Sequence, residues 1–149
     1  MFKSLLRLVL VSMVAVSVNA MASESDRRNF NHQCTVTVGS ESFDISLNAS
    51  VAYESDSEVG VSRYLRGGAT FSINVGAVRF SKDLVLDDVS ESSTQTELVF
   101  HTYRRRFRYE RNITSTLIVR LNKNNLANSW ASYQERGQAE ASLGRAICH

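Results

Sequence analysis

The chain contains no proline, one tryptophan, two cysteines and three histidines among 149 residues. Without proline, slow folding from prolyl isomerisation is excluded. The histidines His32, His101 and His149 lie far apart and none forms a spaced pair with another ligand. A first-row metal site needs three or four converging ligands, so no metal and no other cofactor is expected. G-x-S-x-G, P-loop and H-E-x-x-H patterns are all missing, and no catalytic residue is assigned. The paired acids Asp87-Asp88 point to opposite faces of a strand, which suits neither a shared proton nor glycosidase geometry. They read as solvated turn acids.

Long apolar runs are scarce too. The longest, Leu8–Val18, falls short of the roughly 20 residues that cross a bilayer as a helix. Lys3 and Arg7 precede it, and small residues follow as Val18-Asn19-Ala20 or Ala20-Met21-Ala22. A charged start, a short apolar core and a small-residue site make a signal peptide, cleaved after Ala20 or Ala22. An uncleaved membrane anchor is the competing reading, and the short run argues against it. No cysteine follows the cleavage site to carry a lipid. The expected product is a secreted or periplasmic chain with no transmembrane segment.

Removing the leader changes the charge. The whole chain carries 17 basic and 15 acidic residues. Two of the basic ones are Lys3 and Arg7, so the remainder is neutral. Nucleic acid is therefore not the expected partner. What persists is asymmetry: acids dominate residues 41–100, and bases dominate 101–149.

Cys34 and Cys148 stand near the two ends of the mature chain. In an oxidising compartment two cysteines read most simply as one disulfide. It would bring the first and last strands within about 7 Å at Cα, as in a closed barrel or a sandwich whose end strands pair. Two free thiols are the alternative. Neither cysteine belongs to a C-x-x-C pair, so redox catalysis is not indicated.

Residues 1–20 are assigned to the signal peptide, 21–33 to a flexible polar arm, and 34–149 to a single all-β domain. The clearest strand follows the Gly39-Ser40-Glu41 turn. Phe43, Ile45, Leu47, Ala49, Val51 and Tyr53 alternate with polar residues, the period of a half-buried strand. Gly67-Gly68 is expected as a turn, Gly76 as a bulge, and Leu84–Val89 as a strand. A central hairpin is expected at 96–109 and 113–122, joined through Glu110-Arg111-Asn112. Leu126, Trp130 and Tyr133 have helical spacing, with Asn125 as a cap. The competing hairpin, 129–134 with 138–147, agrees better with a chain otherwise made of strands. The total is about eight antiparallel strands in a small barrel or sandwich. A lipid-facing outer-membrane barrel would need aromatic girdles that one tryptophan does not supply.

The main functional lead is the arginine stretch. In an extended strand Arg104, Arg106 and Arg108 share one face, a rail suited to phosphates, sulfates or carboxylates. His101, Tyr103 and Arg105 share the other, expected to be the core face, unless a bulge at 104–106 turns Arg105 outward. The plainer account pairs these arginines across strands with Asp87, Asp88 and Glu97. The sequons at Asn48 and Asn112 matter only in a host that glycosylates them. The expected function is a non-enzymatic binding or interaction module, with an anionic ligand or an envelope protein as partner. The alternatives are polyanion binding along the arginine strand and a hydrolase whose site is assembled from loops.

Overall fold

The computed structural model describes residues 26–56, 60–107 and 110–149, without side chains at 55–56, 105–107 and 110–111. The signal segment lies outside the described residues. Eight strands run in order: β1 (Asp26–Val38), β2 (Glu41–Asp56), β3 (Gly60–Val75), β4 (Val78–Glu91), β5 (Gln95–Phe107), β6 (Glu110–Asn122), β7 (Ser129–Glu135) and β8 (Ala141–Cys148). Each pairs antiparallel with the next, and β8 returns to β1, closing a barrel. Among the described residues three strand connections therefore gather at one end, here the lower: 39–40, 76–77 and 136–140.

Alternation fills the interior. Val36, Ile45, Val51, Leu98, Phe100, Leu117 and Val119 are wholly buried, while Ser, Thr, Asn and charged residues cover the outside of β1–β4. That is the reverse of a lipid-facing barrel, whose outward band is apolar. The seam between β1 and β8 is short, with Cys34 opposite Cys148, Thr35 opposite Ile147 and Val36 opposite Ala146. Gln33 and His149 exchange both backbone hydrogen bonds at 3.0 Å. Cys34 and Cys148 thus form the neighbouring non-hydrogen-bonded pair, where facing side chains come closest. They are joined by a disulfide with Cα atoms 4.0 Å apart.

Several expectations need correction. Residues 26–33 are not an arm but the first half of β1, paired with β2 from Asp26↔Tyr53 onward. Phe30 is buried there, yet its inward-facing neighbours are Arg28 and His32, which hides the period. Val78–Asp83 also extends β4 below the expected strand, through inward positions held by Phe80 and Lys82. Gly76 belongs to the turn between β3 and β4 rather than to a bulge. At the end of the chain the hairpin is present, and the helical spacing survives only as one 3-10 turn, Leu126–Asn128, capped by Asn125.

Gly67 and Gly68 are not a turn either. They lie within β3, opposite Ala49 and Asn48. A Cβ at Gly67 would sit 2.1 Å from the Asn48 carbonyl oxygen, and one at Gly68 would sit 2.0 Å from that of Leu84. The residues are glycine because two neighbouring backbones press against them. Pairing of β3 with β4 also stops at Gly68, whereas pairing with β2 continues to Gly60. Above this point Arg63 bridges the gap, donating to the Val89 carbonyl and to Asp88, each at 2.7 Å.

Gly68→Ala should therefore destabilise the barrel by about 3 kcal/mol, because a backbone clash cannot be relieved by a rotamer change. Gly39→Ala meets open space and carries only the cost of a left-handed backbone, about 1 kcal/mol. Urea unfolding of the two variants checks this, and equal midpoints would contradict the close approach.

Candidate functional site

Of the expected arginine site, the side chains of His101, Tyr103 and Arg104 fall within the described residues. The inward face of β5 is the one carrying Leu98 and Phe100, so His101 and Tyr103 stand on the outer face rather than towards the core. The strand reads ambiguously beyond Phe100 because His, Thr, Tyr and Arg follow one another with no apolar member to mark the parity. His101 Nδ1 lies 3.0 Å from Thr116 Oγ1, and its Nε2 lies 3.5 Å from Asp87. The Tyr103 hydroxyl donates to Asp87 at 2.5 Å. Asp87 reaches both because a register shift in β4 falls between Leu86 and Asp88. Arg104 is exposed. The β5–β6 register shifts between Thr102 and Tyr103 and again between Arg105 and Phe107. The side chains of Arg105, Arg106 and Arg108 lie outside the described residues. The acids expected to neutralise the arginines are otherwise engaged: Asp88 with Arg63 at 2.7 Å and Glu97 with Arg120 at 2.5 Å.

A second polar group sits at the lower end, on inward positions. Lys82 of β4 donates to Ser115 Oγ (2.8 Å), to the Tyr133 hydroxyl (3.1 Å) and to Glu135 (2.6 Å). Ser115 and Tyr133 donate in turn to Glu135. The Tyr133 ring stacks on Phe71 with centroids 4.5 Å apart, so the network lies directly below the apolar filling. Burial works to depress the Lys82 ammonium, but the bonds to Glu135 and Tyr133 outweigh it and hold it above its ordinary value. Lys82 and Tyr133 as donors keep Glu135 below the usual carboxylate range, against the effect of burial. Burial and then the bond to Glu135 raise Tyr133. All three groups are thus shifted to titrate further from neutral pH, the opposite of what a general acid or base requires. This network joins β4, β6 and β7 as a plug.

A third arrangement, absent from the sequence reading, lies on the outer face of β1–β3. Three adjoining hollows share residues and so form one trough. The lowest, about 370 Å³, is lined by Ser46, Asn48, Gly67, Gly68, Thr70 and Asp83 among others. The next shares Asn48 and Gly67 and adds Asn29, Asn31, Ser50 and Arg66. The uppermost shares Ser50 and Arg66 and adds Arg27, Glu54 and Tyr64. The trough follows from the glycines: where β3 presses on its neighbours it carries no side chains, and the surface dips. From Ser46 to Ala52 on β2 it runs about 20 Å, at roughly 3.4 Å per residue.

Lower on the same face several polar side chains bond across strands. Gln33 donates to Ser46 (2.7 Å), Thr35 and Asn74 to Asp44 (3.3 and 2.8 Å), and Thr70 to Asp83 (2.7 Å). This bonding reaches the lower edge of the trough, at Ser46, Thr70 and Asp83, and goes no higher. Among the described residues no hydrogen bond or ion pair engages the side chains of Asn29, Asn31, Asn48, Ser50, Arg27, Arg66 or Tyr64. Amides and hydroxyls that both donate and accept, beside two guanidinium groups and an exposed aromatic ring, can hold a hydroxyl-rich ligand along its length. Only the glycine pair signalled this site in the sequence, and it reads equally well as a turn.

The ion-pair network has a measurable pH signature. A depressed carboxylate contributes stability above the unfolded value, about 4.3, that is lost as pH falls through the folded one. The raised lysine contributes below about 10.4, and its share is lost as pH rises through the folded value. Both side chains are 39% exposed, so solvent screening limits the pair to about 1 kcal/mol. Urea unfolding should show Glu135→Gln less stable than the parent by that amount between about pH 6 and 9, the gap closing below about pH 4. A gap independent of pH would contradict the ion pair.

No protein-family model, no curated protein and no solved structure matches this chain.

Proposed function

We propose that this protein is an exported, non-enzymatic binding module that holds a hydroxyl-rich ligand, a short glycan, in the trough across β1–β3. The observation carrying this reading is the break in bonding along one sheet face: Gln33 with Ser46, Asn74 with Asp44 and Thr70 with Asp83 bond across strands as far as the lower edge of the trough, and the amides and guanidinium groups above that edge have no partner among the described residues. A glycan supplies alternating donors and acceptors in a line, which suits Asn29, Asn31, Asn48 and Ser50 on adjacent strands. Tyr64 at the upper end offers an aromatic face to the C–H side of a sugar ring. Arg27 and Arg66 lie beside it and favour a sugar bearing a carboxylate or sulfate, which keeps the expected anionic partner but places it away from the arginine strand.

Export is supported by the leader-like residues 1–22 and by a disulfide, which persists in oxidising compartments. The non-enzymatic reading is supported by the directions in which Lys82, Tyr133 and Glu135 are shifted and by the apolar filling above them.

A glycan array followed by calorimetry tests the proposal. A hit is expected whose affinity falls about tenfold in Asn48→Ala and again in Arg66→Ala, the loss of a hydrogen bond from each. Absence of any glycan hit, or a hit indifferent to both substitutions, would overturn it.

A further inference from the structure

We infer that the lower end of the barrel docks on an anionic lipid surface. The turns at 39–40 and 76–77 lie side by side there, because Ser42 pairs with Asn74 and Phe43 with Ile73. Around them apolar side chains stand in water. Val75 and Val78 face each other across the hairpin and both are exposed. Phe80, opposite Ile73, is 63% exposed, and Val38 at the end of β1 is exposed as well. Such large apolar residues at two neighbouring turn tips are not serving the core, which is closed above them by the Lys82 network.

The charge around this rim is basic. Arg79 sits between Val78 and Phe80, Arg104 is exposed, and β5 and β6 bring Arg105, Arg106 and Arg111 to the same end of the barrel. Glu41, Glu110 and Glu140 stand against them, and Glu135 is held by Lys82. Apolar tips at the end of the barrel to which these arginine positions belong match the interface of an anionic bilayer, where side chains enter the acyl boundary and cations meet the headgroups. A protein partner fits less well. A stable interface buries about 800 Å² on each side, and a rim of a few turn residues falls short of that.

Sedimentation with phosphatidylcholine vesicles, with and without phosphatidylglycerol, reads this directly. The full mature chain should pellet with the phosphatidylglycerol vesicles, should not pellet with phosphatidylcholine alone, and should be released by high salt. Phe80→Ser should weaken binding about tenfold, the loss of one inserted aromatic side chain. Phe80 is exposed, so this variant should keep the parent's thermal midpoint, and measuring that midpoint separates lost docking from lost folding. Arg104→Gln should weaken binding as well. No pelleting with phosphatidylglycerol vesicles, or equal pelleting of the parent and Phe80→Ser, would overturn the proposal. Retention on heparin that falls in Arg104→Gln without any vesicle binding would also overturn it, in favour of a soluble polyanion.

Discussion

The closing seam between the first and last strands is the contact on which the barrel depends. Every other pair of neighbours is joined by a connection local in sequence, so its loop-closure cost is small. The seam joins residues 114 apart, and its register spans only Cys34–Val36 against Ala146–Cys148. So short a ladder does little to offset the entropy of holding the chain ends together. The disulfide removes most of that entropy from the unfolded chain instead, about 4–5 kcal/mol in the loop-entropy picture. At the upper end Glu91 binds Arg28 at 2.6 Å and Lys123 at 3.5 Å, drawing the free half of β1 over the filling.

Closing eight strands into so narrow a barrel has consequences for its surface. β3 must pass close to both neighbours, which demands glycine at positions 67 and 68, and the missing side chains open the trough. The candidate binding site is thus a by-product of closure that polar residues on β1 and β2 have lined. Inside, apolar side chains fill the barrel down to Phe71, and the Lys82–Tyr133–Glu135 network seals the lower mouth. The two ends differ as a result. The lower mouth is locked by an ion pair and rimmed with exposed valines and Phe80, while the polar groups proposed for recognition lie on the upper outer wall.

Much of this architecture was legible from residue order. The alternation from Phe43 to Tyr53 marks β2, and an even pair of cysteines near the chain ends gives the disulfide. Legibility failed where inward positions are polar or charged. Arg28 and His32 disguised β1, and Lys82 disguised the lower half of β4, because each long side chain occupies a core-side position at a barrel end, where its head reaches a partner or solvent. The glycine pair misled for a different reason. Glycine marks both turns and close backbone approach, and only the third dimension separates them. The trough has no linear motif at all, since its amides come from separate strands and are recognisable only by the absence of bonds to them among the described residues.

Native-state hydrogen exchange with and without reductant tests the seam most directly. In the oxidised protein the amides of Gln33 and His149 should be protected nearly as well as those of Leu98 and Leu117. On reduction they should exchange far faster, while β2 and β3 retain their protection. Protection of Gln33 and His149 that survives reduction unchanged would contradict a barrel held shut by its disulfide.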